Sequence, residues 1–173
     1  PKMVAHYALR DARYSQEPSE LEIGYVFEER PTTTFITISR LATAWVNDIA
    51  VRHFFRDQEC LGIVPADPEN NPDNFEGTVQ VRWKPLPMKI YKNMRVAFTR
   101  NVRPDIDQVN GMEGTVLGMD RTGVLVATNT GHTPKVFPWT EPDWGTTFYP
   151  IRPAYATTLM KVQGDTLQHM TLY

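Results

Sequence analysis

The residues best suited to chemistry lie in one short stretch near the end of the sequence. An apolar strand that begins at Tyr155 leads there into a hydroxyl, an ammonium, an amide and a glycine, supplied by Thr158, Lys161, Gln163 and Gly164. Lysine contributes charge, threonine donates a hydrogen bond, and glycine lets a backbone come close to a ligand. We therefore expect this segment to bind phosphate groups.

A second interpretation of the same segment is purely structural. Asp165 and Thr166 have the side chains that satisfy the first amides of a helix, so the segment would be a capped helix start. Gly164 would then be an ordinary turn glycine. The residue types alone leave both interpretations open.

An arginine follows a second apolar strand earlier in the chain. Residues 32–38 are β-branched and aromatic, which predicts a strand, and Ser39 is a good helix N-cap, as Ser19 is for an earlier helix. Apolar residues then recur at helical spacing over about 41–56. This predicted apolar face consists of Leu41, Ala44, Trp45, Ile49, Phe54 and Phe55. Arg40 lies at the strand-to-helix turn, either as a phosphate contact or as a solvated side chain.

Composition limits what the chain can be. The 173 residues are 41% hydrophobic and 22% charged, which is typical of a globular protein. A formal net charge of -2 requires any nucleic-acid contact to be local. One cysteine and four histidines show no metal-ligand spacing, so no metal site is predicted. The sequence contains no apolar run of membrane-spanning length and does not open with a signal-peptide pattern.

The middle of the chain has a different pattern. A Pro-, Asp- and Asn-rich surface loop is predicted over 65–78. Short apolar runs separated by turn signals then predict a small antiparallel β-barrel, with strands at 79–83, 94–99, 114–119, 123–128 and 135–139. A strand over 149–158 is expected to return to the first layer, as a parallel neighbour of residues 35–38. The predicted fold class is an α/β layer interrupted by an inserted barrel.

Three segments resemble motifs of the Pif- and RecD-type DNA helicases. Residues 35–40 (FITISR) resemble the strand and arginine of motif IV. Residues 94–101 (MRVAFTRN) and 109–116 (VNGMEGTV) are similar to the signature that opens the family's inserted barrel. Residues 158–167 (TLMKVQGDTL) resemble motif V, TxHKxQGxTL. The three matches occur in the family's order and together span roughly residues 35–167.

The resemblance implies a fold and a set of functional residues. It implies a P-loop-NTPase-like (RecA-like) parallel sheet over 1–90 and 146–173, interrupted by a barrel at 91–145. Arg40 would be a catalytic arginine finger at the nucleotide phosphates, with Gly164 as a second nucleotide contact. Thr158, Lys161 and Gln163 would contact the backbone of single-stranded DNA.

The resemblance also implies partners and cofactors. A full-length parent would use ATP and Mg²⁺, pair this segment with an N-terminal motor domain, and translocate 5′ to 3′ on single-stranded DNA. It would work in the nucleus or another DNA-containing compartment of a eukaryote, or in a bacterial cytoplasm, and would not be secreted or bind a membrane. Replication, DNA repair, recombination and transposition are all compatible with it.

The sequence departs from the family pattern in five ways. Met160 replaces the usual histidine and Val162 the usual serine of motif V. The family's Gly-Lys-Thr loop and Asp-Glu pair do not occur in the 173 residues, and the segment after motif V is missing. Both ends of the sequence are expected to be cuts through a longer protein. We therefore expect this chain to bind no cofactor alone and to lack ATPase activity.

A non-catalytic function is the alternative. An α/β platform with a β-barrel could bind protein or nucleic acid without hydrolysing ATP, or be the relic of an inactive helicase. Trp139 and Trp144, in a proline-containing linker, are candidate stacking residues for such a surface. A Gly-Lys-Thr loop upstream in the parent gene would distinguish the helicase from these alternatives.

Overall fold

The computed structural model describes residues 19–68, 84–143, 145–162 and 169–172. These residues divide into two compact units. The first contains the described residues up to Arg56 together with those from Tyr155 onward, and the second runs from Asp57 to Ala154. The chain thus leaves the first unit and returns to it. The bounds predicted for the insertion, 91–145, lie inside the second unit.

Helix α1 (Glu20–Glu29) opens the first unit with a capping box. The Ser19 hydroxyl accepts a hydrogen bond from the Glu22 amide at 3.3 Å, and the Glu22 carboxylate accepts one from the Ser19 amide at 2.7 Å. The prediction that Ser19 starts a helix is therefore confirmed. The inner face of α1 buries Ile23, Val26 and Phe27.

Strand β1 (Thr34–Thr37) leads directly into helix α2 (Arg40–Phe55). All four residues of β1 are buried. Ser39 is extended and accepts a hydrogen bond from the Ala42 amide at 3.1 Å, so it caps α2 as predicted. The predicted strand, serine turn and helix are all confirmed.

Two further strands, β11 (Ala156–Thr158) and β12 (Met170–Leu172), complete a three-stranded sheet. Its order is β11-β1-β12, and both pairings are parallel. The parallel pairing of β1 with the strand that ends at Thr158 confirms the sequence prediction. Two helices beside a parallel sheet make the first unit an α/β layer.

Aromatic side chains join this sheet to its helices. The Phe27 ring lies 5.0 Å from that of Phe35 and 5.2 Å from that of Phe54. The Phe54 ring in turn stacks on Tyr155 at 5.2 Å. Each such pair contributes about 0.5–1.5 kcal/mol beyond the burial of its area. The aromatic cluster therefore fixes both helices to the sheet.

The second unit is built around a five-stranded antiparallel sheet. Its strands, in the order β10-β4-β5-β6-β7, are Ile151–Pro153, Arg95–Phe98, Glu113–Met119, Val124–Thr128 and Lys135–Val136. The antiparallel strands predicted at 94–99, 114–119 and 123–128 are confirmed. The pairing of the described strands is an open series with β10 and β7 at its edges, and a closed barrel is not shown.

Smaller elements complete the second unit. Strands β2 (Gly62–Pro65) and β3 (Pro87–Ile90) form one antiparallel pair, and β8 (Trp139–Thr140) and β9 (Thr147–Phe148) form another. A short 3₁₀ helix spans Pro104–Ile106. The predicted strand at 79–83, most of the predicted loop at 65–78 and Trp144 lie outside the described residues.

The turns predicted in this sheet are also present. Gly111 has a φ of 91°, a left-handed conformation that glycine adopts without strain. Between β5 and β6, the Asp120 carboxylate accepts hydrogen bonds from the Thr122 and Gly123 amides at 2.8 and 3.1 Å. Gly114, the first residue of the predicted strand at 114–119, is a buried residue of β5.

Another difference from the sequence prediction concerns strand ends. The predicted strand at 135–139 is two strands, because Pro138 has no amide proton to continue a ladder. The predicted strand at 149–158 also divides. Its first part, β10, pairs antiparallel with β4, and its last part, β11, pairs parallel with β1. Pro153 marks the division for the same reason.

No helix in the described part of the chain is both long enough and apolar enough to cross a bilayer.

Candidate functional site

The two segments predicted to bind phosphates leave the same edge of the parallel sheet. Thr37 at the end of β1 is the register partner of Thr158 at the end of β11. Neighbouring strands lie about 4.8 Å apart, and ligands of α/β sheets collect at the carboxyl ends of parallel strands. Arg40 and Lys161 each follow their paired threonine by three positions in the sequence. The fold therefore brings the two segments to one edge.

Thr37 holds the turn between β1 and α2. Its hydroxyl lies 2.6 Å from the Thr43 hydroxyl and donates to the Ser39 carbonyl oxygen at 3.1 Å. Thr37 is fully buried, and these bonds join the strand end to the first turn of α2. The backbone that carries Arg40 is thereby fixed relative to β1.

Arg40 is the first residue of α2 and is exposed. A helix N-terminus carries partial positive charge and unsatisfied amides, both of which favour anions. The first turn of α2 contains no acidic residue to neutralise that charge. The guanidinium adds donors in a planar fork that suits phosphate. The local electrostatics thus fit the predicted phosphate contact.

Thr158 leads into a single 3₁₀ turn, Leu159–Lys161. The Thr158 side chain precedes this turn but makes no capping hydrogen bond to it. Lys161 is exposed at the end of the turn. Gln163 and Gly164, as well as the proposed caps Asp165 and Thr166, lie outside the described residues.

Large apolar side chains are exposed beside these cations, a feature that the sequence analysis missed. Ile38 and Met160 are 90% and 81% exposed. Leu41, predicted to belong to the buried face of α2, is 49% exposed, and Leu159 is 59% exposed. The cause is position, because these residues lie beyond the strand ends, where no sheet remains to cover them. The edge therefore combines positive charge with apolar surface.

Asn47 is a second feature that sequence reasoning left without a role. It lies in α2 and is 5% exposed. Its side-chain oxygen accepts hydrogen bonds from the Tyr155 and Ala156 amides, each at 2.9 Å, and its side-chain nitrogen donates to the Ala156 carbonyl oxygen at 3.2 Å. The sequence signal that could have identified it is the presence of an amide side chain within a largely apolar helix. Asn47 joins α2 directly to β11.

Charged clusters in the second unit have structural partners. Arg100 pairs with the buried carboxylate of Asp67 at 2.7 Å and lies 3.6 Å from Glu141. Burial lowers the pKa of the Arg152 guanidinium, an effect that the negative charges of Glu113 and Asp67 oppose. These groups stabilise the fold of the second unit and present no cluster of exposed cations.

A further cluster ties a hairpin to a loop. Asp107, in left-handed backbone with a φ of 62°, accepts a hydrogen bond from Thr130 and lies 2.5 Å from Nδ1 of His132. Hydrogen bonds from Thr130 and His132 hold the pKa of the Asp107 carboxyl below its ordinary value. No group of three metal-ligating side chains occurs in the described ranges.

Comparison with known proteins gives a match by structure alone. No family model matches the chain, and no curated protein matches it in sequence. A structure of Pif1 helicases unwinding forked duplex DNA superposes on 89% of this chain with a TM-score of 0.60 and 20% identity. The Bacteroides Pif1 helicase bound to ADP-AlF₃ and single-stranded DNA covers 96% with a TM-score of 0.59 and 17% identity.

A third match is the Pif1 helicase from Candida albicans, with a TM-score of 0.53 and 19% identity over 84% of this chain. This chain spans only 37% of the first two of these chains and 39% of the third. The resemblance to Pif helicases in the sequence motifs is therefore matched by a resemblance in structure. The described residues have the fold of one part of the Pif1 helicases. That part includes a RecA-like α/β sheet.

Proposed function

We propose that this chain is part of an ATP-dependent DNA helicase, in which the carboxyl edge of its parallel sheet contacts both nucleotide phosphates and single-stranded DNA. One observation carries the proposal. The register Thr37↔Thr158 brings the Arg40 segment and the Lys161 segment to one sheet edge, in a fold shared with Pif1 helicases. Both segments end in an exposed cation.

On the nucleotide side, Arg40 would stabilise negative charge on the transferred phosphoryl group. Its place at the N-terminus of α2 supports this role, because the amides and dipole of the helix add to its charge. Gly164 would let the backbone approach the nucleotide. The described residues supply phosphate contacts but no group of acids for Mg²⁺. ATP and Mg²⁺ would therefore be held mainly by an N-terminal motor domain of the same polypeptide.

On the DNA side, Thr158, Lys161 and Gln163 would contact the backbone of the strand. Such contacts position a strand without reading its bases. Exposed Leu159 and Met160 supply apolar surface beside the cation, against which unpaired bases would pack. In this arrangement the second unit is the family's inserted barrel, which its five-stranded antiparallel sheet supports. The proposed direction of translocation is 5′ to 3′.

A non-catalytic binding module is the second candidate. The observation in its favour is the absence from the 173 residues of a Gly-Lys-Thr loop and an Asp-Glu pair. The sequence upstream in the parent gene distinguishes the two candidates. A Gly-Lys-Thr loop a few hundred residues before Pro1 is expected for the helicase, and its absence would leave the binding module.

Substitution of Lys161 tests the DNA contact in the full-length protein. We expect Lys161→Ala to weaken binding to an oligo-dT strand and to lower the slope of log affinity against log salt by roughly one unit, because one phosphate contact is lost. Gln163→Ala removes a neutral donor and should weaken binding with little change in slope. Fluorescence anisotropy at several salt concentrations measures both quantities.

Lys92→Ala is the matched control, because Lys92 is an exposed lysine of the second unit. Lys92→Ala should change the DNA affinity and the salt slope less than Lys161→Ala does. A melting curve for each variant shows whether folding is preserved. If Lys161→Ala folds normally and binds with unchanged affinity and slope, the proposed DNA contact is wrong.

A further inference from the structure

The buried side chain of Asn47 makes the two hydrogen bonds to β11 that a neighbouring strand would make. β11 is an edge strand, since the order of the sheet is β11-β1-β12. Its inner side pairs with β1, and its outer side has no strand neighbour among the described residues. The side chain of Asn47 occupies that position. It accepts a hydrogen bond from the Ala156 backbone amide and donates one to the Ala156 carbonyl oxygen. A neighbouring strand would satisfy the same two backbone groups.

The position of this contact connects the two segments of the proposed site. Asn47 lies seven residues after Arg40, on the same helix, and Ala156 lies two residues before Thr158, on the same strand. The third hydrogen bond reaches the Tyr155 amide, where the chain returns from the second unit. Because Asn47 is buried and all three bonds are 3.2 Å or shorter, α2 cannot slide along β11 without breaking them.

We propose that Asn47 is a positioning residue that couples the two halves of the site. A displacement of α2 when an anion binds at Arg40 is transmitted through Asn47 to β11, and so to Thr158 and Lys161. The coupling is reciprocal, because a change that nucleotide makes in DNA affinity is matched by the change that DNA makes in nucleotide affinity. This inference rests on the proposed function, since it requires both ligands to bind at the sheet edge.

A merely structural role for Asn47 predicts something different. Loss of the Asn47 side-chain amide would then lower the stability of the protein and weaken the binding of both ligands. It would not change the effect of one ligand on the affinity for the other. A substitution that destabilises the same helix elsewhere provides the comparison. Val46 is fully buried, and Val46→Ala removes packing from α2 while leaving the Asn47 hydrogen bonds in place.

The experiment measures the affinity of the full-length protein for an oligo-dT strand, with and without a saturating non-hydrolysable ATP analogue. The ratio of the two dissociation constants is the coupling. We expect Asn47→Ala to reduce this ratio at least about fivefold, toward one, in line with common coupling strengths. Asn47→Asp keeps the acceptor for the Tyr155 and Ala156 amides, so it should retain more of the coupling. Val46→Ala should retain the wild-type ratio.

Three outcomes separate the inference from the proposed function. Loss of coupling in Asn47→Ala, with its retention in Val46→Ala at a similar melting temperature, supports the role of Asn47. Equal ratios in the wild-type protein and in Asn47→Ala overturn that role and leave the proposed function intact. A wild-type protein with no oligo-dT binding, or with an affinity that the ATP analogue leaves unchanged, overturns the proposed function and this inference together.

Discussion

Arg40 and Lys161 stand in equivalent positions after the ends of two neighbouring strands. Each follows a threonine of the paired strand ends by three residues, and each is exposed. The threonines differ in role, because the Thr37 hydroxyl is buried in a hydrogen-bond network while Thr158 makes no capping bond. The Thr37 hydroxyl therefore fixes the turn that precedes Arg40, whereas the Thr158 side chain does not cap the turn that ends at Lys161.

Arg40→Ala tests the catalytic proposal at this scale. In the full-length protein we expect ATP turnover stimulated by single-stranded DNA to fall by about 10³-fold or more, because an arginine finger stabilises charge that develops in the transition state. The value of kcat should fall far more than KM rises. Steady-state kinetics at saturating oligo-dT measures both quantities.

Two control substitutions make that result specific. Arg40→Lys retains the charge but loses the planar fork, so it should recover only part of the activity. Arg56→Ala removes an exposed arginine from the far end of α2 and should leave kcat within about twofold of the wild-type value. A decrease in kcat of less than about threefold in Arg40→Ala would exclude a catalytic role.

Among the elements, the hairpin of β5 and β6 has a close backbone approach at Gly114. A Cβ atom at Gly114 would lie 2.6 Å from the Ala127 carbonyl oxygen and 2.6 Å from a methyl carbon of Val126. Such separations force the backbone to move, so glycine is required here by packing. The VNGxxGxV pattern therefore has two physical causes, a left-handed turn at Gly111 and a close approach at Gly114.

Gly114→Ala should destabilise the second unit by about 1–3 kcal/mol, because overpacking in a paired strand costs this much. Gly118→Ala is a matched control in the same strand, since a Cβ there would meet no atom within 4 Å. Urea unfolding of the two variants measures the difference. Equal stabilities would show that the strands separate easily and that the contact imposes no requirement for glycine.

The loop that contains Asp107 is stabilised when the carboxyl group of Asp107 is ionised. The lowered pKa of Asp107 means that the folded state favours the carboxylate, so its contribution is present above the ordinary pKa of about 3.9 and is lost as the pH falls through the lowered value. Thr130→Val removes the hydrogen bond that contributes most to this shift. We expect the pKa of Asp107 to rise toward its ordinary range in that variant, as measured by NMR titration of the side-chain carboxyl carbon.

Thr122→Val is the control for this titration. Thr122 donates a hydrogen bond to Asp120, another carboxylate of the unit whose pKa is lowered, and makes no contact with Asp107 among its described hydrogen bonds. It should leave the titration of Asp107 unchanged. An unchanged pKa of Asp107 in Thr130→Val would mean that His132 and Thr128 hold the carboxylate without Thr130.

The whole molecule consists of two compact units on one discontinuous chain. The first contains the proposed ligand contacts, and the second is an antiparallel sheet within its own range. The 173 residues contain no Gly-Lys-Thr loop. Phosphoryl transfer in the P-loop enzymes depends on that loop and its magnesium ion.

The isolated chain should therefore hydrolyse no ATP above the background of an Arg40→Ala preparation purified in parallel. A coupled phosphate-release assay with and without oligo-dT makes the measurement. Turnover that disappears in Arg40→Ala would contradict the prediction and would place a complete phosphate site within these residues.

Sequence alone determined the local elements and the motifs. Ser19 and Ser39 cap helices, and the order of strands and turns follows from local hydrogen bonding and hydrophobic periodicity. The parallel pairing of β1 with β11 was also predictable, because both strands end in polar loops that share a ligand edge. These features depend on short-range chemistry that the residue types carry.

Tertiary structure decided where strands end and which side chains are covered. The segment 149–158 reads as one strand in sequence, yet β10 and β11 pair with strands of two different sheets. Leu41 has the periodicity of a core residue but is 49% exposed, and the buried side chain of Asn47 bonds to the backbone of β11, a contact that no sequence pattern predicted. Burial and backbone satisfaction depend on partners distant in the sequence, so only the folded chain determines them.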